Sequence, residues 1–257
     1  MNDDLANLKP EELAAWYGRL ADSVEKQNSE VKGALSPLFL RHWLTGHGKK
    51  LVFPPPEHLR HSGYVIDGLK YHRAVYLTEK KTKVGGNDKW AGIIPRLQGK
   101  GFPKWDAKGV LTMHLESLVE IPVLKEWFLS KGDLDLLMAM HGFQLITDVG
   151  VTASPGQRSV LRVTFATFAA KVSDSYHWNP DKHLTMPNPD YGNPSKVPNP
   201  VAPKSQSITV YHKNAIRLEK AGLAWAYDLE SEPWQVTDVS VMGPADIDAN
   251  KKLDGWF

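Results

Sequence analysis

The chain has 257 residues, with 31 Lys plus Arg against 29 Asp plus Glu and a formal net charge of +2. That leaves no basic excess to release counterions from nucleic-acid phosphates. Apolar residues make up 42% and charged residues 23%, with 9 Trp, 8 Tyr and 8 Phe; this much apolar and aromatic surface excludes disorder as the default state.

Cysteine is absent, which excludes disulfides, thiol nucleophiles, Cys-ligated zinc and iron–sulfur clusters together. No run approaches the roughly 20 apolar residues needed to cross a bilayer. The acidic start, Met1 to Asp4, has no apolar stretch behind it and is not expected to act as a Sec signal.

In chain order, Pro10 with Glu11 and Glu12 predicts a helix start. Leu13, Trp16, Leu20 and Val24 then share one face. Phe39, Trp43 and Leu44 predict a second short helix ending near Gly46 and Gly48, and Pro54-Pro55-Pro56 ends regular structure there. Residues 64–76 (Tyr64, Val65, Ile66, then Val75 and Tyr76) lean towards strand. Lys80 to Gly86 reads as a solvated loop, and residues 110–129 as helix broken at Pro122.

Phe143 to Val151 predicts a strand leading to the turn Ser154-Pro155-Gly156-Gln157. The return strand spans about Ser159 to Val172, with Leu161, Val163 and Phe165 on one face. Beyond Thr167 the apolar frame shifts to Phe168, Ala170 and Val172, which calls for a β-bulge near Ala166-Thr167.

Seven prolines between 180 and 203 predict an extended surface excursion. Ser207 to Tyr211 resumes as strand, and Asn214 to Ala221 is a short helix with Gly222 at its C-terminal turn. Trp225 to Leu229 and Val236 to Val241 are the last expected strands. The fold class expected is α+β, with a helical N-terminal part and a largely antiparallel β-sheet in the C-terminal half. The division expected is 1–130 helical and 131–257 β-rich, as two domains or one continuous one.

Three constellations carry polar chemistry. Gly46-His47-Gly48-Lys49-Lys50 fails as a phosphate-binding P-loop, because Trp43 and Lys50 stand where Gly and Ser or Thr are required. His58 and His61 have spacing to share a helix face, yet no nearby carboxylate completes a metal set. They read as incidental loop histidines.

The third runs Asp174-Ser175-Tyr176-His177-Trp178-Asn179-Pro180-Asp181-Lys182-His183. It places two carboxylates, two imidazoles and a phenol at a strand-to-loop junction, where rigid scaffolds present reactive groups. Such groups serve a hard divalent cation, a general base and an acid. Asp174 and Asp181 are the candidate metal ligands, and Asp174, Tyr176, His177 and His183 the candidate catalytic residues. The bland alternative is an Asx-turn at Asp174, with Tyr176 and Trp178 serving as core residues with polar tips.

This segment resembles the signature of the colicin M family of lipid II-cleaving bacteriocins and related secreted effectors, which reads Asp-x-Tyr-Asp, five residues, then His-Arg. Asp174, Tyr176 and His183 match it. His177 stands in place of the second Asp, and Leu184 in place of the Arg.

The resemblance implies an antibacterial effector that hydrolyses a lipid-linked pyrophosphate precursor of the cell wall, assisted by a divalent cation, Mg²⁺. Asp174 would bind metal or orient water, His183 would be base or acid, and His177 ligand or second base. Trp178 and Lys182 would bind substrate, and Lys182 or Lys171 would offer a point charge in place of the lost guanidinium, with poorer geometry. The resemblance further implies secretion without a signal peptide, by a type VI-like machinery, action in a target periplasm, and a cognate immunity protein. The alternative is a cytoplasmic, non-catalytic interaction protein: an immunity protein, a secretion adaptor or a structural module whose Pro-rich segment suits surface recognition.

Overall fold

The computed structural model describes residues 4–77, 81–84, 87–90, 111–120, 131–140, 142–155, 160–192 and 200–248. Two compact units emerge, each assembled from separated stretches of chain. The first comprises Met1–Leu59, Ile121–His141 and Asp174–Glu230; the second Arg60–Glu120, Gly142–Ser173 and Ser231–Phe257.

In the first unit, α1 (Pro10–Gln27) starts where the sequence expects, with the backbone N–H of Lys9 donating to Glu12. It buries Leu13, Trp16, Tyr17, Leu20 and Val24 on one stripe. Helix α2 (Leu35–Thr45) buries Phe39, Leu40 and Trp43. Its N-cap residue, Ala34, has no side chain able to cap it. The orphan N–H groups of Leu35 and Ser36 donate instead to the carboxylate of Asp135, at 2.7 and 2.9 Å. That residue sits on α5 (Lys131–Ala139), about a hundred positions away. The same carboxylate accepts from Ser36 Oγ at 2.6 Å, Asn28 Nδ2 at 3.3 Å and His58 Nε2 at 3.0 Å.

The unit continues through β1 (Leu51–Phe53) and α3 (Glu57–Arg60), which begins directly after the triple proline. Strands β7 (His183–Pro187) and β8 (Ser207–Tyr211) pair antiparallel, from His183 opposite Tyr211 to Pro187 opposite Ser207. The Pro-rich excursion therefore contains a strand, and beyond it Asn188, Asp190 and Val201 are buried. Helix α6 (His212–Lys220) ends before Gly222, whose φ of +68° suits a residue without a Cβ. Arg217 on this helix donates to the carbonyls of Ala6 and Leu8 at 2.9 and 2.6 Å, tying the chain start to α6. Strand β9 (Tyr227–Ser231) pairs with β1.

The second unit is built on the long hairpin of β5 (Gly142–Pro155) and β6 (Val160–Tyr176), the latter belonging to it as far as Ser173. Its pairing shifts between Gly150 opposite Thr167 and Val151 opposite Phe165. Ala166 is thus the surplus residue the apolar frame calls for. Val163 and Phe165 are buried before it, and Phe168, Ala170 and Val172 after it. Strands β10 (Trp234–Gln235) and β11 (Ala245–Asp248) pair antiparallel with β6.

Four local expectations are overturned. Residues 64–76 form helix α4 (Gly63–Leu77), started by Ser62 Oγ accepting from the N–H of Val65 at 3.2 Å. Val65, Leu69, His72 and Tyr76 are its buried stripe, so an amphipathic period outweighs the β-propensity of its first turn. His72 meets Thr147 Oγ1 at 2.8 Å, and burial pushes its imidazole down to about 4, so it is neutral.

Residues 111–120 form β4 (Leu111–Glu120), paired with β5 over ten positions, rather than helix. The alternation of Leu111, Met113 and Leu115 with Thr112, His114 and Glu116 prevails over the leucine spacing. The rest of that expected helix, 121–129, lies outside the described residues. The expected loop at 80–86 contains β2 (Lys81–Val84), which pairs with β3 (Asn87–Trp90); 80, 85 and 86 lie outside the described residues. Val236 to Val241 is not a strand. Asp238 caps a short helix, α7 (Val239–Met242), through the N–H of Ser240 at 2.8 Å.

The protein is α+β, with helices mainly N-terminal and a largely antiparallel sheet. Among the described residues, no helix is long and apolar enough to cross a membrane.

Candidate functional site at the exit of strand β6

Strand β6 delivers Asp174 and Tyr176 on one face and Ser175 on the other, after which His177 leaves the sheet. Asp174 is half-buried, and its Oδ1 accepts a 2.7 Å bond from the N–H of Ser175. Burial dominates and pushes its carboxyl up to about 6, against the smaller opposing effects of that bond and of the nearby His177 charge.

His177 is exposed, with Nδ1 2.8 Å from the carbonyl oxygen of Ser175. A carbonyl only accepts, so the Nδ1 proton is engaged. In the neutral ring the lone pair then lies on Nε2. Ser175 Oγ donates to Asp228 Oδ1 on β9 at 3.1 Å.

Tyr176 stacks on Tyr227 with ring centroids 5.2 Å apart and meets Trp178 and Phe39 edge-on. Burial, then the Glu219 charge, raises its phenol, so it stays protonated. Tyr227 donates to the carbonyl of Phe39 at 2.9 Å; burial, followed by Tyr176 and Asp174, raises its phenol as well. Trp178 lies among Tyr17, Trp43 and His212. Trp43 Nε1 donates to Glu219 at 2.9 Å. Tyr176 and Trp178 thus form part of an aromatic floor.

Asn179-Pro180-Asp181 makes the turn its composition calls for. Asn179 Oδ1 accepts from the N–H of Asp181 at 3.1 Å, and the backbone of Lys182 bonds both Asn179 and His212. Asp181, Lys182 and His183 are exposed. The His183 ring lies 5.6 Å from that of Tyr211.

Asp174 and His177 are therefore brought within electrostatic reach of each other, and the rings of Tyr176 and Trp178 are brought together. His183 is placed instead on the β7–β8 pair. Among the described residues, no three His, Asp or Glu side chains converge in a set fit to hold a metal ion. Asp174 and Asp181 belong to no such set.

Two polar assemblies escape the sequence reading. His58 belongs to the Asp135 cluster rather than to a solvated loop. Burial raises that carboxyl, but the bonds from His58, Ser36 and the two backbone N–H groups overcome it and hold Asp135 below its ordinary value. Asp190, fully buried, takes a bidentate ion pair from Arg19, with Nε–Oδ1 2.8 Å and Nη2–Oδ2 3.1 Å. The turn composition of Asn188-Pro189-Asp190-Tyr191-Gly192 was the only local signal for it.

Comparisons with protein-family models, with curated proteins and with solved structures give no match.

Proposed function

We propose that the β6 exit is an acid–base centre, and that the protein is an antibacterial effector that hydrolyses a lipid-linked pyrophosphate precursor of the cell wall. The observation carrying this reading is that Asp174, whose carboxyl is pushed up to about 6, lies within electrostatic reach of His177, whose Nε2 carries its lone pair in the neutral ring. Perturbed carboxyls beside oriented imidazoles are what proton transfer near neutral pH requires.

His177 Nε2 takes a proton from water as the water oxygen bonds to phosphorus. The bond from phosphorus to the lipid-side oxygen breaks, and protonated Asp174 gives its proton to that oxygen. Tyr176 holds the strand exit on the aromatic floor and is a positioning residue. Lys182, exposed on the turn that follows, and His183, exposed at the start of β7, are assigned to the pyrophosphate. Delivery by a secretion machine into a target periplasm, and neutralisation by an immunity protein, follow from the same reading.

Turnover of purified lipid-linked precursor tests it, with and without Mg²⁺ and with a chelator. Asp174→Asn and His177→Gln are expected to lose about 10²–10⁴-fold in kcat. Lys182→Ala is expected to raise KM. Equal turnover in all variants removes the assigned roles.

A non-catalytic interaction module is favoured by one observation, the placement of Tyr176 and Trp178 in the aromatic floor. Expression in a susceptible host periplasm separates the readings. Lysis supports the hydrolase, and harmless accumulation supports the module.

A further inference from the structure

The first unit carries an open groove of about 980 Å³ between α1 and the segment that follows β7. The segment's own wall is held from within. Asn188 Nδ2 donates to the carbonyls of Val201, Ala202 and Ser205, and the fully buried Asp190 accepts from the N–H of Val201 at 2.8 Å. The same carboxylate holds Arg19 through Nε and Nη2, which leaves the Nη1 edge of a guanidinium that is 27% exposed. That edge is a donor positioned before any ligand arrives, so little side-chain entropy is lost when it binds.

Arg19, Ser23 and Lys26 line the groove at i, i+4 and i+7 of α1, on one face of the helix. A rise of about 1.5 Å per residue sets Arg19 and Lys26 about 10 Å apart along its axis. The lining acid Asp22 is taken by Arg41 at 2.8 Å, whereas Lys26 makes no ion pair among the described residues. Lys26 is thus a cation with no acid assigned to it, two turns from a fixed guanidinium edge. The facing wall differs in kind. It presents Pro187, Pro189 and the ring of Tyr191, which is 45% exposed.

Two donors about 10 Å apart, opposite proline and tyrosine faces, match the repeat of one backbone. A polyproline II chain turns once in three residues and advances about 9 Å in doing so, so positions i and i+3 return to the same side. An extended strand returns after about 7 or 13 Å and suits the spacing less well. We infer that the groove docks an acidic, proline-containing segment of a partner protein in the polyproline II conformation, with carboxylates three residues apart. One carboxylate accepts from the Arg19 Nη1 edge and the other from Lys26 Nζ. The prolines between them pack on Tyr191, Pro187 and Pro189. Docking of this kind needs neither Asp174 nor His177.

The test titrates the peptide acetyl-Glu-Pro-Pro-Glu-Pro-Pro-amide into the full chain at low salt, followed by calorimetry. Saturable binding is expected, weakened about tenfold by Tyr191→Ala and lost in Lys26→Glu. Both side chains are exposed, so circular dichroism should be unchanged in either variant. Acetyl-Glu-Pro-Glu-Pro-Pro-Pro-amide, equal in charge but with the wrong spacing, is expected to bind about fivefold more weakly. No saturable binding, equal binding of the lysine counterpart, equal binding of the two spacings, or indifference to Lys26→Glu each overturns the inference. Glutarate binding as tightly as the peptide would make the groove a small-molecule site, and overturns it too.

Discussion

Two carboxylates withdrawn from water meet opposite fates in this protein. Asp135, fully buried at the start of α2, is answered by two backbone N–H groups, a hydroxyl, an amide and an imidazole. It is held ionised below its ordinary value. Asp174, half-buried at the end of β6, has one backbone donor and a neighbouring imidazole, and burial wins. Desolvation acts on both; the number of donors decides which way each shifts. A satisfied carboxylate is a structural rivet, whereas an under-satisfied one is a proton carrier waiting for a partner.

The largest effect expected from this contrast is at Asp135. Asp135→Ala strips five donors of their acceptor inside a buried corner and is expected to cost about 3–5 kcal/mol in urea unfolding at neutral pH. A loss under about 1 kcal/mol would show the cluster to be ornamental.

Asp174 has the opposite sign. Its folded carboxyl protonates near 6 and its unfolded one near 3.8. The folded state therefore binds the extra proton between those values. This residue's contribution is most favourable below about pH 4 and is lost as pH rises through 6. Asp174→Asn is expected to melt above the native chain at pH 7.5, with the gap closing below pH 4. A variant that melts lower at both pH values would break the comparison.

The smallest effect sharpens it. Ser36→Ala removes one donor of five and is expected to cost about 1 kcal/mol, measured by the same urea titration. The carboxylate keeps its remaining partners.

What was legible in the sequence follows the range of each interaction. The frame shift around Ala166 and the glycine after α6 are local, and both are where the residues place them. Asp174 and His177 lie three positions apart and come within electrostatic reach of each other. His58 and Asp135 are 77 positions apart, and Arg19 and Asp190 are 171; no pattern of neighbours discloses such pairs. Helix α4 and strand β4 were misread for a different reason. Each carries two competing hydrophobic periods, and packing against the sheet, or pairing within it, decides between them. Within the candidate site, residue types and turn chemistry were readable from Asn179-Pro180-Asp181. The direction of His183 was not, because β7 pairs with a strand more than twenty positions downstream.

The surplus alanine in β6 has a reach beyond its own position. Upstream of it the odd-numbered side chains, Val163 and Phe165, are turned inward; downstream the even-numbered ones, Phe168, Ala170 and Val172, take over. Asp174 and Tyr176 inherit that even parity. Were Ala166 deleted, the odd positions would claim the sheltered side. Ser175 would then occupy it, while the acid was returned to bulk water and its ordinary proton affinity. The reactivity of this carboxyl is thus written eight residues earlier, by one small side chain that touches none of the chemistry.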